Sequence, residues 1–576
     1  LRLATVADVA TALRGVYLQG LPVILHAGPT ALPLLALLAA ARPAGAAEGG
    51  LAELTGSIAA DPLAALAETG ALPLPLASAY DDMALVAEWA AAAAPGLATV
   101  AVRAGLYHEA GGSAVHELAF ALATGAAYLR ALTERGVAID TAAATIALHF
   151  AIGGQFFMEV AKLRAARLLW AQVVAAFGAS PAAGAVRLHA RTARRNKSAI
   201  DPHVNMLRAT TEALAAAVGG ADSICVTPFD EPLSPPDDFS RRIARNVQII
   251  LQDEAHIKRL IDPAGGSYAV ETLTDQLARA AWAQFQEIER RGGMAAALAD
   301  GYIQAAVAAV ADKRAAALAK RRDVLVGVNQ FANPNEQLPE RAVPAPPAAT
   351  DTAAPEGPLP AALAEGVAAV ARMDAAIAAA AAGATRSQLA TALRGDSAGA
   401  LPTPAATPLP LARAAAPFEA LRQKALSLTL SQREREPDGE RAQNPLALRE
   451  RDGERVLPRL FLANLGPPRQ HKARADFTQG FFEVGGFQVI TNNGYATPEE
   501  AAAAALASGA PAVAICSTDE TYPDLVPPLV AAIKAAAPNT VVILAGRPAE
   551  QVEALRAAGV NEFVYLGMDC LAMNDW

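Results

Sequence analysis

IALHFAIGGQFFMEVAKLRAARLLW, residues 146–170, holds one complete repeat of the fold. An apolar run of strand length, 146–153, ends in a Gly153-Gly154 turn and passes into an alanine- and leucine-rich helical stretch. Outward from it the same unit recurs. Apolar runs at 22–27, 54–60, 97–103, 186–192, 223–227 and 259–263 have similar length, and most lead through a Gly, Pro or polar turn into a helix. Repeated strand–turn–helix units build a parallel sheet. Seven in a row predict an α/β fold of the (β/α)8 TIM-barrel type over residues 1–331. Seven strands are one short of closure, so this reading places the first strand upstream of Leu1. The chain opens there with neither an initiator Met nor a signal-peptide pattern, and an N-terminal part is expected to precede it.

Composition changes after the last repeat. ANPNEQLPERAVPAPPAATDTAAPEGPLP, residues 332–360, is a proline-rich connector. Helical sequence returns at 363–382, 386–393 and 418–431, interrupted by a Pro/Ala stretch at 401–417. The charged run at 432–455 reads as a solvated face or loop. Residues 332–455 are thus expected to form a linker. From 456 to 576, strand candidates at 460–465, 487–491, 512–516, 541–545 and 562–566 alternate with alanine-rich helices, which predicts a second, flavodoxin-like domain.

The balance of charge excludes some functions. A net charge of -9 with 18% charged residues describes a mildly acidic soluble protein without a strongly basic face, which argues against nucleic acid as a partner. The most apolar stretch, 31–41, is interrupted by Pro33 and stops at Arg42. It falls short of the roughly 20 apolar residues of a spanning helix, so no membrane association is expected. Cys225, Cys516 and Cys570 are too widely spaced for a disulfide framework or a zinc site, and a reducing cytoplasm is the simplest location.

Longer motifs carry a family resemblance. RATTEALAAAVGGADSICVTPFDEPLSPPDDFSRRIARNVQIILQDEAHIKRLIDPAGGSYAVETLT (208–274), FAIGGQFFMEVAKLRAARLLW (150–170) and VLVGVNQF (324–331) are similar to segments of the methylmalonyl-CoA mutases. That family joins an acyl-CoA-binding barrel to a C-terminal cobalamin-binding domain. It contains both a catalytic large subunit and a non-catalytic small one, so the resemblance leaves activity to individual residues.

Catalytic members carry LTGTIQND, whose Gln serves the thioester region, and an Arg further on for the substrate carboxylate, a pairing suited to a planar guanidinium. Here LTGSIAAD places Ala59 at the Gln position and Thr69 at the Arg position. The family's ISGYHMQEAG becomes AGLYHEAG, with Leu106 at the position of a His suited to proton donation and His108 two residues on. HCQTSGWSL becomes HARTARRNK, with Arg191 for Gln and Arg194 for Gly, and SLHTN becomes SICVT, with Cys225 for His. In the last domain, cobalamin-binding members carry Asp-x-His-x-x-Gly. Its Asp orients the cobalt-ligating ring, and its Gly permits close backbone approach. Here Arg469 and Arg474 flank His471. The family's small-residue loop is replaced by AICSTDETY.

Other candidates have structural readings. Asp230-Glu231 is expected to cap a loop, Gly265-Gly266-Ser267 to form a turn, and Cys570 to be inert. Arg241, Arg242 and Arg245 are expected to pair with Asp237 and Asp238. The resemblance and its departures together imply a non-catalytic small subunit that binds no cofactor or metal itself. It would pair with a homologous large subunit holding adenosylcobalamin. The competing expectations are a divergent active mutase using His108 and His471, and a stand-alone scaffold.

Overall fold

Six of the seven N-terminal runs form strands: β1 (Val23–Gly28), β2 (Gly56–Ala60), β3 (Leu97–Val102), β4 (Ile146–Ile152), β5 (Arg187–Thr192) and β6 (Ser223–Cys225). They are parallel and lie in sheet order β1-β2-β3-β4-β5-β6. The computed structural model describes residues 3–16, 18, 21–41, 50–333, 368–394, 405–434 and 457–576. Leu1–Arg195, Met206–Ala311 and Ala342–Ala412 make one compact unit. Asn196–Asn205, Asp312–Arg341 and Arg413–Trp576 make a second.

In unit 1, strand alternation separates two faces. Val100, Val102, Leu148, Phe150, Ile152, Leu188 and Ala190 join the core beneath the helices. The residues between them, among them Ala101, His149, Ala151, His189 and Arg191, point to the opposite, inner face. The sheet curls around that face. A flat sheet would hold the backbones of β1 and β4 about 14 Å apart, yet the rings of His26 and His149 meet at 5.1 Å between centroids.

The seventh run, 259–263, is not a strand, contrary to its apolar character. Ile257–Arg259 forms a short 3-10 turn, Asp262 adopts a left-handed φ of 49°, and Ile261 is fully exposed. Pro263 offers no N–H to a ladder, and Gly265 N donates to Asp262 O, so the chain turns before it can pair. Among the described residues β6 is therefore a sheet edge, and closure into a barrel is not observed.

The expected linker contributes to unit 1. Helices Ala369–Ala381 and Arg386–Arg394 place Met373, Ala376, Ala380, Leu389 and Leu393 against the helix Leu32–Ala40. This packing explains why Leu32–Ala40 is apolar all round without being a membrane segment: Leu32, Leu35 and Leu37 are completely buried. Trp89 Nε1 donates to Asp374 Oδ1 at 3.4 Å on the same surface. Residues 334–367, 395–404 and 435–456, including nearly all of the charged run and the expected start of the last domain, lie outside the described residues.

Unit 2 contains β7 (Arg459–Asn464), β8 (Gln488–Ile490), β9 (Ala512–Cys516), β10 (Val541–Ala545) and β11 (Glu562–Val564). All are parallel, in the order β11-β10-β9-β7-β8. This is the doubly wound 2-1-3-4-5 order. Its direction reverses between β7 and β9, and the carboxyl ends beside that switch point are where such sheets bind ligands.

Candidate functional site

The carboxyl ends of the unit 1 strands bring most of the sequence candidates to one end of the sheet. Ala59 is buried in β2 and presents only a methyl group. Thr69 is the last residue of the helix Pro62–Thr69, and its hydroxyl lies 2.8 Å from Ala65 O and 2.6 Å from Ala71 O, turned into its own backbone. Leu106 is buried in the short helix Gly105–Glu109. Ala59 and Leu106 offer no polar group to a ligand, and the proton of the exposed Thr69 hydroxyl is directed to backbone carbonyls.

His108 is directed into the protein. Its Nδ1 lies 3.6 Å from Glu117 Oε2, and a Cβ on Gly153 would approach its ring to 2.7 Å. Glu117 accepts from Ala151 N at 2.8 Å, and Lys162 Nζ lies 2.5 Å from both Glu117 Oε2 and Glu159 Oε2. Lys162 Nζ also donates to Ala151 O at 2.6 Å. Burial alone would raise the Glu117 carboxyl, but the Lys162 ammonium and His108 hold it below the usual range. Burial would lower Lys162, and Glu117 and Glu159 raise it instead. The cluster binds the end of β4 to the helices Ala114–Glu134 and Phe156–Ala176, and His108 belongs to it.

Arg191 and Arg194 converge on one carboxylate. Arg191 Nη2 lies 2.9 Å and Arg194 Nη2 2.5 Å from Glu231 Oε1, while Arg194 N donates to Glu109 Oε1 at 2.7 Å. Glu231 is thus an ion-pair acceptor rather than a loop cap. Its neighbour Asp230 is buried, and Asp230 O accepts from Leu233 N. Cys225 is exposed at the end of edge strand β6. Asp237 caps the helix Asp238–Ile249 through Ser240 N, and Arg241 lies 3.8 Å from Asp238. Arg245 instead donates to Asn246 Oδ1 at 3.4 Å. Gly265 and Gly266 form a turn in which Gly266 N donates to Glu271 Oε1.

Two clusters escaped the sequence reading. One is the Lys162 cluster, signalled only by the Glu159–Lys162 spacing of three on a helix. The other is a row of imidazoles on the inner face. His149 lies 5.1 Å from His26 and 4.9 Å from His189, and His189 Nδ1 lies 2.8 Å from Ser223 Oγ. Neither ring nitrogen of His149 finds a hydrogen-bond partner among the described residues, nor does the buried Ser57 hydroxyl. Burial, reinforced by His189, His26 and Arg103, holds His149 well below its ordinary value. Burial and Arg191 push His189 down to about 4. His26 is also pushed to about 4, by its enclosure first and then by Arg103, although part of its surface reaches solvent at the sheet edge. Period-two alternation aligns His189 with Arg191 on one strand. The approach of β1 to β4 has no local sequence signal.

In unit 2 the candidates gather at the switch point. Arg469 is exposed in the first turn of the helix Pro468–Glu483. His471 is buried, and its Nδ1 lies 3.0 Å from Gly466 O. A carbonyl only accepts, so this nitrogen carries the proton. A Cβ on Gly494 would come within 2.6 Å of the ring.

Arg474 spans the ends of β9 and β10. Its Nη1 donates to Ala545 O at 3.0 Å, its Nη2 lies 2.8 Å from Asp519 Oδ1, and its Cζ stands 5.2 Å from the Tyr522 ring centroid. A Cβ on Gly546 would meet Arg474 Nη1 at 2.8 Å. Ser517 Oγ donates to Leu465 O at 3.2 Å, tying the loops after β9 and β7 together. Cys570 is buried with its thiol near Phe481 O, and burial pushes it up to about 12, far from thiolate reactivity at neutral pH. Among the described residues no group of three or more His, Cys, Asp or Glu could hold a metal ion, and no helix is long and apolar enough to cross a membrane.

The family model for methylmalonyl-CoA mutase matches residues 1–399. A Streptomyces virginiae protein named methylmalonyl-CoA mutase small subunit is 37% identical over 569 residues, 99% of this chain and 77% of that protein. A protein of the same name from Porphyromonas gingivalis is 34% identical over 473 residues, 81% of this chain and 64% of that one. A methylmalonyl-CoA mutase from Escherichia coli K12 is 40% identical over 244 residues, 42% of this chain and 34% of its own length.

Proposed function

The chain belongs to the methylmalonyl-CoA mutase family, and on this basis we propose that it is a non-catalytic small subunit. It would pair in a heterodimer with a homologous large subunit that holds adenosylcobalamin and interconverts (R)-methylmalonyl-CoA and succinyl-CoA. The observation that carries this reading is the state of the family's substrate positions in unit 1. Ala59 and Leu106 are buried and apolar, the Thr69 hydroxyl is spent on backbone carbonyls, and Arg191 is ion-paired to Glu231. His108, two residues on from the position of the lost imidazole, belongs to the Lys162 cluster.

Unit 2 supports the same assignment. The crevice at its switch point does not fit a corrinoid, because Arg474 fills the space over Gly546 and His471 is packed against Gly494. The radical chemistry would belong to the cofactor of the partner. In this reading the curled sheet of unit 1 is part of a (β/α)8 barrel, unit 2 is a degenerate cobalamin-binding-type domain, and the complex works in the cytoplasm.

Co-expression with a family member bearing intact Asp-x-His-x-x-Gly tests the proposal. The expected result is co-purification of the two chains and mutase activity in the complex. The isolated chain should show no activity and no base-off spectrum when adenosylcobalamin is added. Turnover or a base-off spectrum from the chain alone would overturn the reading.

A further inference from the structure

The groups around Arg474 form a receptor for a planar cation. The Asp519 carboxylate lies 2.8 Å from Nη2, the Ala545 carbonyl 3.0 Å from Nη1, and the Tyr522 ring lies below the guanidinium. Tyr522 is itself fixed, because its hydroxyl donates to Ala545 O at 2.5 Å and accepts from Ser517 N at 3.2 Å. Carboxylate, carbonyl and aromatic face together match the in-plane donors and the flat face of a guanidinium. They come from the loop after β9, the end of β10 and the helix Tyr522–Ala536, whereas Arg474 comes from the helix Pro468–Glu483.

We propose that this receptor is a binding site for guanidinium-type cations and that Arg474 is its tethered ligand. The side chain organises the carboxyl ends of β9 and β10 from within, in the place where a doubly wound sheet ordinarily takes a diffusible ligand. The inference rests on unit 2 alone and is independent of the role assigned to the chain, so either can fail without the other.

The test uses the full chain carrying R474A. Its melting temperature is expected to fall by about 3 °C, with faster amide exchange at 517–521 and 546–551. Low-millimolar guanidinium chloride, far below denaturing levels, should recover much of both losses, and sodium chloride at equal ionic strength should not. Adding D519N to R474A should abolish the recovery. Unchanged melting in R474A, equal recovery with sodium chloride, or recovery that survives D519N would overturn the proposal. If R474A does not fold, R474K decides the matter. It keeps the charge without the planar fork, so melting below the wild type and local exchange above it are expected, and wild-type values for both would refute it.

Discussion

His149 sits between His26 and His189 with neither ring nitrogen paired, so protonating it creates a charge in a buried place beside Arg103 and other potential cations. All three imidazoles titrate below the ordinary value of 6.5 in the folded chain. As pH falls, the unfolded chain takes up these protons first, and stability is lost between about 6.5 and about 4. For His189 alone, displacement to about 4 corresponds to at most about 3 kcal/mol. Unit 1 is therefore expected to begin weakening in mild acid, above the pH at which ordinary carboxylates titrate. H149Q, which cannot titrate, should flatten the dependence of denaturation midpoint on pH in that window. An identical slope in wild type and variant would refute the assignment. Glu117, lowered by Lys162 and His108, adds a loss in the same direction at lower pH.

Helix packing in unit 1 rests on small residues at particular contacts. Gly125 lies inside the helix Ala114–Glu134, where alanine would be favoured by about 1 kcal/mol on intrinsic propensity. It faces the fully buried Trp170, and a Cβ there would come within 2.3 Å of the indole ring. Displacing a buried indole costs about 1–3 kcal/mol, so G125A should be net destabilising by about 1 kcal/mol. A denaturant midpoint at or above the wild-type value would contradict this.

Elements of this kind also mark the limits of sequence reading. The strands were legible because parallel strands covered by helices are nearly continuous apolar runs, as in β3, where every residue is buried. The run at 259–263 has only Leu260 and Ile261 as an aliphatic pair, and its fate was decided by the turn chemistry of Asp262, Pro263 and Gly265. The substituted positions Ala59, Leu106 and Arg474 could be named from a family pattern. The imidazole row could not, because His26 and His149 meet only through the curl of strands three places apart. The partners of Arg474 were hidden for a similar reason, since Asp519, Tyr522 and Ala545 lie well beyond its own helix.

Across the whole molecule the same pattern of internal contacts recurs in both units. The candidate side chains are satisfied within the chain: Arg191 and Arg194 on Glu231, His108 on Glu117, His471 on Gly466 O, and Arg474 on Asp519 and Ala545 O. Such contacts favour a stable scaffold over a site that must exchange ligands. On the proposed reading, cofactor content then becomes a property of the assembly. A complex of this chain with its catalytic partner should carry one corrinoid per pair of chains, measured by absorbance after denaturation. H471A in this chain should leave that ratio and kcat unchanged, because its imidazole is engaged by Gly466 O and packed against Gly494. Replacing the corresponding histidine of the partner should remove the base-off spectrum and activity together. Two corrinoids per pair, or loss of one on H471A, would instead make unit 2 a working cofactor domain despite Arg474.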